Sequence, residues 1–260
     1  MILITGATDG LGRYVAGELV KSGERVIAHG RNEARLAELA ELGAETVRAD
    51  LAELRQVDRL ADEILARHDR LDVLVNNAGI GTGSDFSRRE ESPDGVELRF
   101  AVNYLAGHHL TRRLLPLLRA SAPAKVVNVA SVGQSPIDFA DPMLTRSYDG
   151  MRAYSQSKLA QIMFTIDLAE ELAGTGVTVN ALHPATMMPT TMVRESGAGS
   201  MSTIEEGGAA VLRLIRASDD VTGAYFNGTT RSRPNAQAAD PEARRNLRAL
   251  SERLVAAALG

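Results

Sequence analysis

At 260 residues, 44% of them hydrophobic, the chain is long enough to bury one large core or two small ones without covalent staples. It has no cysteine, which excludes a disulfide framework, a thiolate nucleophile and a Cys-based metal site, and fits a reducing compartment. A net charge of -4, with the charges mixed along the chain, gives no basic field for nucleic acid, and no apolar run approaches the roughly 18 residues that span a bilayer.

In chain order, the first apolar run is ILITG (2–6). It lacks a basic n-region and a cleavage site and leads into a glycine-rich turn, so it reads as a strand and not a signal peptide. A cytoplasmic protein without membrane or nucleic-acid partners is the expectation. A helix-spaced segment follows at 11–22, then the run RVIAHG (25–30), a helix at 32–42, the run ETVRAD (45–50) and a helix at 53–68. LDVLVNNAG (71–79) precedes a helix at 94–119, and KVVNVAS (125–131) precedes one at 152–173. GVTVNALHP (176–184), a helix at 204–217, GAYFNG (223–228) and a helix at 240–259 complete the pattern. Apolar strands without polar alternation imply burial on both faces. Strand–helix repetition throughout predicts an α/β, doubly wound parallel sheet of about seven strands, a single Rossmann domain over 1–260. Segments 132–151 and 186–203 break the rhythm. Both are long, bear Pro and Gly, and follow a strand, which places them at the carboxyl edge where such sheets bind ligands.

Three features carry chemistry. TGATDGLG after the first strand sets Gly6, Gly10 and Gly12 between strand and helix, where backbone can approach a pyrophosphate at a helix N-terminus. The second strand ends AHGRN: Gly30 stands where an acid would read the adenosine ribose, and Arg31 follows. A guanidinium there suits a 2′-phosphate, which points to NADP(H) over NAD(H). Glu33 reads as a first-turn helix acid. Finally, AYSQSKL (153–159) sets Tyr154 and Lys158 four apart, on one helix face. Beside a nicotinamide, a phenol brought from about 10 to about 7 would exchange protons with a carbonyl or alcohol, at a cost of roughly 4 kcal/mol that a nearby cation can supply.

With these motifs in order, the chain resembles the classical short-chain dehydrogenase/reductase family along nearly its whole length. The matching residues are TGATDGLG, Asp50, NNAG (76–79), Asn103 in FAVNYLAGHHLT, Ser131 in VVNVAS and YSQSK (154–158). HGRN, FAVNYL, GAYF and the long gap from Ser131 to Tyr154 look most like the retinol-dehydrogenase-like, NADP-preferring branch. The resemblance implies an oxidoreductase in which Tyr154 is the acid in reduction and the base in oxidation. Ser131 would hold the substrate oxygen, Lys158 would lower the tyrosine pKa and bind the nicotinamide ribose, and Asn103 would hold a proton-relaying water. Gly6, Thr8, Asp9, Gly10, Leu11, Gly12, Arg31, Asn32, Asp50, Leu51, Asn77, Ala78 and Gly79 would surround the cofactor, with Tyr154, Lys158, Pro184 and Thr186 at its nicotinamide end. No metal is implied. The family commonly forms homodimers or homotetramers through the helices of Asn103 and Tyr154, and the same is expected here.

Departures sharpen the reading. Ala130 stands where many members carry a second serine, and Pro184-Ala185 replaces the usual Pro-Gly. Thr186 comes early for a threonine on the nicotinamide amide, leaving Thr190 or Thr191. Asp9 occupies a position that is basic in some NADP-dependent relatives, so Arg31 is the main phosphate ligand, with Arg13 as a possible helper. His108 and His109 read as surface or interface side chains, and His183 as a strand-end residue. Six of the eight methionines lie in or beside the two irregular segments, as a flexible apolar substrate wall would. The arginine-rich stretch 241–254 reads as a solvated helix face. The expected reaction interconverts a carbonyl and an alcohol on a small to medium, apolar substrate. The alternatives are an NADP(H)-binding sensor or scaffold without turnover, and a carbon–carbon double-bond reductase.

Overall fold

The computed structural model describes residues 1–260 except Ala198 and Asp219. Strands β1 (Ile2–Ile4), β2 (Val26–Gly30), β3 (Glu45–Arg48), β4 (Val73–Asn76), β5 (Ala124–Val129), β6 (Val177–His183), β7 (Tyr225–Asn227) and β8 (Thr230–Ser232) form one sheet in the order β3-β2-β1-β4-β5-β6-β7-β8. The first seven are parallel, and β8 returns antiparallel to β7 through Gly228 and Thr229. The eighth strand was not visible in the sequence pattern. Its three residues, TRS, are all exposed and carry no hydrophobic signal.

Alternation along each strand feeds two cores. Leu3, Ile27, Leu74, Val126 and Val179 point to one, which is closed by α3 (Leu54–Arg67), α4 (Ala106–Ala120), α5 (Gly150–Glu171) and α8 (Pro241–Leu259). Ile2, Ile4, Val26, Ala28, Val73, Val75 and Val127 point to the other, closed by α1 (Gly10–Lys21), α2 (Glu33–Glu41) and α7 (Ile204–Arg216). Side chains of period two entering two apolar layers is the reason the strands read as continuous apolar runs. A short helix, α6 (Thr191–Glu195), lies in the segment after β6.

The helix expected over 94–119 begins later. Residues 91–97 form a turn closed by a bridge between Glu91 and Glu97, and Phe100–Leu105 then wind as a π-helical turn that runs into α4. Its wider ring is closed by the Ala106 N–H on the Ala101 carbonyl. Among the described residues, no helix is long and apolar enough to cross a membrane.

The strand order reverses between β1 and β4: successive strands move one way from β1 to β3 and the other way from β4 onward. Loops that leave the carboxyl ends of these two strands diverge to opposite faces and open a crevice. The site is built around it.

Candidate active site

The turn after β1 is shaped for close backbone approach. Gly6 has φ +65°, and a Cβ there would lie 2.8 Å from the Ala78 Cα, so the loops after β1 and β4 touch backbone to backbone. Gly12 backs onto the Gly6 carbonyl and the Asn77 amide with no room for a side chain. Asn77 fastens the pair: its Nδ2 donates to the Thr5 carbonyl (2.9 Å) and the Gly6 carbonyl (3.2 Å), while its own N–H donates to Thr5 Oγ1 (3.0 Å). Asp9 stands at the N-cap of α1 but makes no capping hydrogen bond, and the first turn carries no acid. The leading amides and helix dipole of α1 therefore face the crevice without a carboxylate of their own, which fits the pyrophosphate of a dinucleotide.

Around the end of β2, Gly30 leaves space that the Thr8 side chain fills. An acidic side chain at position 30 would collide with Thr8. The cations lie at the rim. Arg31 pairs loosely with Asp50 and Arg35 with Asp9, each at 3.7 Å and each substantially exposed. Arg13 is turned away, paired with Glu38 at 2.7 Å. Arg35, which the sequence reading passed over, is thus the basic residue beside Asp9. Asn32 caps α2 by accepting the Arg35 N–H at 3.0 Å, Leu51 is buried, and Asp50 Oδ1 accepts the Ala52 N–H at 3.0 Å.

His29 was also missed. The Gly6 N–H donates to its Nδ1 at 3.2 Å, so the ring proton is on Nε2, where it reaches the Ala49 carbonyl at 3.0 Å. The neutral ring links the glycine turn to the end of β3. Burial pushes its pKa down to about 4.

At the opposite end of the crevice, the π-helical turn carries Asn103, whose Oδ1 accepts the Ile80 N–H (2.7 Å) and whose Nδ2 donates to the Ile80 carbonyl (3.1 Å) and Ser157 Oγ (3.0 Å). A Cβ on Gly79 would lie 3.3 Å from both Asn103 Oδ1 and Lys158 Nζ, so these groups face the loop after β4. Ser131 follows β5, and its side chain lies beside that of Tyr154 on α5, both within 3.6 Å of where a Cβ on Gly133 would stand. Lys158 Nζ lies 5.8 Å from the centre of the Tyr154 ring and donates to the Val129 carbonyl and Gln161 Oε1, both at 3.0 Å. The four residues expected to work together are therefore brought together.

Their electrostatics differ from the expectation of a lysine-acidified phenol. Burial raises the Tyr154 pKa, the Ser131 hydrogen bond opposes the rise, and burial lowers Lys158 to about 7. Desolvation penalises both charged forms. His183 Nε2 meets Thr186 Oγ1 at 3.0 Å, and burial, with the Lys158 charge second, lowers its pKa to about 4.

The segment after Pro184 folds over the crevice. Thr190 lies against Gly10, where an added Cβ would meet its Cγ2 at 2.8 Å, and Met192 lies equally close against Gly81. Thr190 rather than Thr191 is thus the threonine seated over the glycine turn; Thr191 contacts Arg194. Ala198 of this segment lies outside the described residues.

A family model described as short chain dehydrogenase matches residues 1–200. The chain belongs to the short chain dehydrogenase family. Human retinol dehydrogenase 13 is 34% identical over 286 aligned residues, covering 98% of this chain and 84% of that protein. Mouse retinol dehydrogenase 14 is 43% identical over 203, covering 70% of this chain and 60% of its own. The resemblance to the retinol-dehydrogenase-like branch thus holds, and the chain is an oxidoreductase of this family. Among solved structures, an uncharacterized protein from Mycobacterium paratuberculosis superposes with a TM-score of 0.80 at 29% identity, covering 98% of this chain and 92% of the other. The Pseudomonas aeruginosa RhlG/NADP active-site complex superposes at 0.72 and 28%, over 87% of this chain and 93% of the other.

Two expectations are corrected by the geometry. His108 and His109 are buried, not surface residues: His108 packs against Tyr104 and Phe164, with the Phe164 ring centre 4.7 Å away, and His109 meets Asp58 at 2.8 Å. The arginine-rich stretch of α8 is not simply solvated. Arg244 is buried against Glu170 (2.8 Å), and Arg248 pairs with Asp167 (2.6 Å). Neither is legible from spacing, because Asp58, Phe164, Asp167 and Glu170 lie more than 50 residues from their partners along the chain. Among the described residues, no group of three or more His, Cys, Asp or Glu side chains is placed to hold a metal ion.

Proposed function

We propose that the chain is an NADP(H)-dependent oxidoreductase that interconverts a carbonyl and an alcohol on an apolar substrate, with Tyr154 as the acid and base. The observation that carries this reading is the gathering of Ser131, Tyr154 and Lys158 at one end of a crevice whose other end is a glycine turn on an uncapped helix. The cofactor, when bound, supplies or accepts a hydride at the substrate carbon. Tyr154 gives its proton to the carbonyl oxygen in reduction and takes it back in oxidation, and Ser131 holds that oxygen against the phenol. Lys158, near its titration point at neutral pH, holds the nicotinamide ribose hydroxyls and passes protons onward. Asn103 positions a water in that relay while fixing Ile80. Arg31 and Arg35 read the 2′-phosphate, each exchanging a weak surface carboxylate for it.

Segments 132–151 and 186–203 wall the substrate. Val132, Met151, Met187 and Met201 are exposed apolar side chains along them, joined by Phe86, whose carbonyl accepts the N–H of Gly150 at the start of α5. An apolar wall rich in methionine suits an apolar alcohol or aldehyde, in keeping with relatives named retinol dehydrogenase. Tyr154→Phe is the deciding test. It should reduce NADPH-dependent reduction of retinal and of a panel of aryl ketones to background, while NADPH affinity stays within about two-fold. Turnover that survives the substitution refutes the reading.

A further inference from the structure

The backbone carbonyl of Ser131 accepts hydrogen bonds from two side chains, the Tyr225 hydroxyl at 3.0 Å and Gln134 Nε2 at 2.9 Å, which together use both of its lone pairs. Both donors are held from behind. Gln134 Oε1 accepts the Asn235 N–H at 2.8 Å, so the amide can only present its NH2 to Ser131. Three residues on, the backbone N–H and carbonyl of Ile137 are bracketed by the Gln237 side chain at 2.7 and 3.0 Å. Tyr225 is 4% exposed on β7, and burial pushes its phenol up to about 12, so it remains a donor across the neutral range. On the other side of Ser131, Oγ accepts the Gly133 N–H at 3.0 Å, which leaves the hydroxyl proton free for donation to the neighbouring Tyr154.

We propose that Tyr225 and Gln134 are positioning residues that aim the Ser131 hydroxyl, by gripping its peptide from two directions on behalf of the residues 235–237 that follow β8. The proposal rests on the reading of Ser131 and Tyr154 as partners in proton transfer. It adds two side chains to those assigned catalytic or cofactor-binding roles and gives the stretch after β8 a part in the site. Neither donor touches substrate. Each acts through Ser131, and so indirectly on the acidity of Tyr154.

The test uses the full chain and two conservative substitutions. Tyr225→Phe removes one donor and keeps the ring, while Gln134→Glu keeps the acceptor for Asn235 and removes the donor facing Ser131. Tyrosinate absorbance is titrated in each variant and differenced against the same variant carrying Tyr154→Phe. In both, the Tyr154 phenol should titrate higher than in the parent chain. With retinal or an aryl ketone and NADPH, each substitution should lower kcat by about ten-fold, one hydrogen bond's worth, with KM and NADPH affinity within about two-fold. In a Ser131→Ala background neither should change kcat further. A loss of kcat that persists undiminished in that background shows a general structural effect and overturns the proposal, as does an unmoved phenol titration. Failure of the acid/base reading itself has a separate signature, turnover surviving Tyr154→Phe, and the titration still reports on the grip in that event.

Discussion

Arg31 and Arg35 each hold a carboxylate at 3.7 Å in an exposed pair, an arrangement of little stability that a doubly charged phosphate can replace. Removing either has a different consequence. Arg31→Ala deletes a ligand, whereas Arg35→Ala also frees the Asp9 charge to repel a 2′-phosphate. Both should weaken NADPH by about ten-fold or more, with Arg35→Ala at least as damaging, and leave NADH within about two-fold. Equal losses for the two cofactors, read by fluorescence titration, would show that these cations do not discriminate. At this scale the motif residues were legible because each lies within a few positions of its neighbours in the chain. Arg31, Tyr154 and Lys158 announce themselves locally. Arg35 reads as an ordinary surface arginine on α2 until the fold brings it to Asp9. His29 reads as one more residue of a buried strand until its two ring nitrogens are seen to join Gly6 and Ala49.

Among elements, α8 is the one whose contacts were least expected. It crosses from α5 to α3: Arg248 and Arg244 bind Asp167 and Glu170 on α5, Ser251 meets Tyr104 of the π-helical turn, and Arg55 of α3 donates to the Leu259 carbonyl. Self-association through the helices of Asn103 and Tyr154, which the family resemblance led one to expect, therefore has to accommodate a helix already resting beside them. The Tyr104–Ser251 contact gives a graded test of that docking. Tyr104 Oη and Ser251 Oγ are 2.7 Å apart, and Ser251 also donates to the Leu247 carbonyl at 2.8 Å. Tyr104→Phe leaves Ser251 satisfied and should cost about 1 kcal/mol of unfolding free energy, while Ser251→Ala strands a buried phenol and should cost about 2 kcal/mol. Urea denaturation would show the order; a reversed order would mean that the phenol finds water. The sequence pattern located α8 well, because it is amphipathic, but its partners lie far upstream. The π-helical turn is likewise invisible to periodicity, since one wider turn leaves the apolar spacing on either side intact.

For the molecule as a whole, three of the four buried histidines have lowered pKa values: His29 and His183 at about 4 and His108 at about 3, in each case chiefly through desolvation. In the unfolded chain they titrate near 6.5. Between that value and about 4 the unfolded state binds more protons, so stability is intact above pH 6.5 and declines as pH falls through the window. Three such protons give a slope of up to about 4 kcal/mol per pH unit near pH 5, far steeper than one histidine would. Urea midpoints from pH 7 to pH 4.5 measure it, and a shallow slope would mean that the rings are hydrated. The alternation of apolar strands and helices made the doubly wound sheet readable in advance, since each apolar strand feeds two cores. The antiparallel β8, short and exposed, had nothing to announce it.

The family model matches residues 1–200, and Tyr225, Asn235 and Gln237 lie beyond them. A fragment cut at that point would keep the glycine turn, Asn103, Ser131, Tyr154 and Lys158 and still lose the Tyr225 and Asn235 contacts that lead to Ser131. During synthesis, then, these two contacts form last, once the strand pair and the stretch that follow have emerged and closed the sheet's far edge.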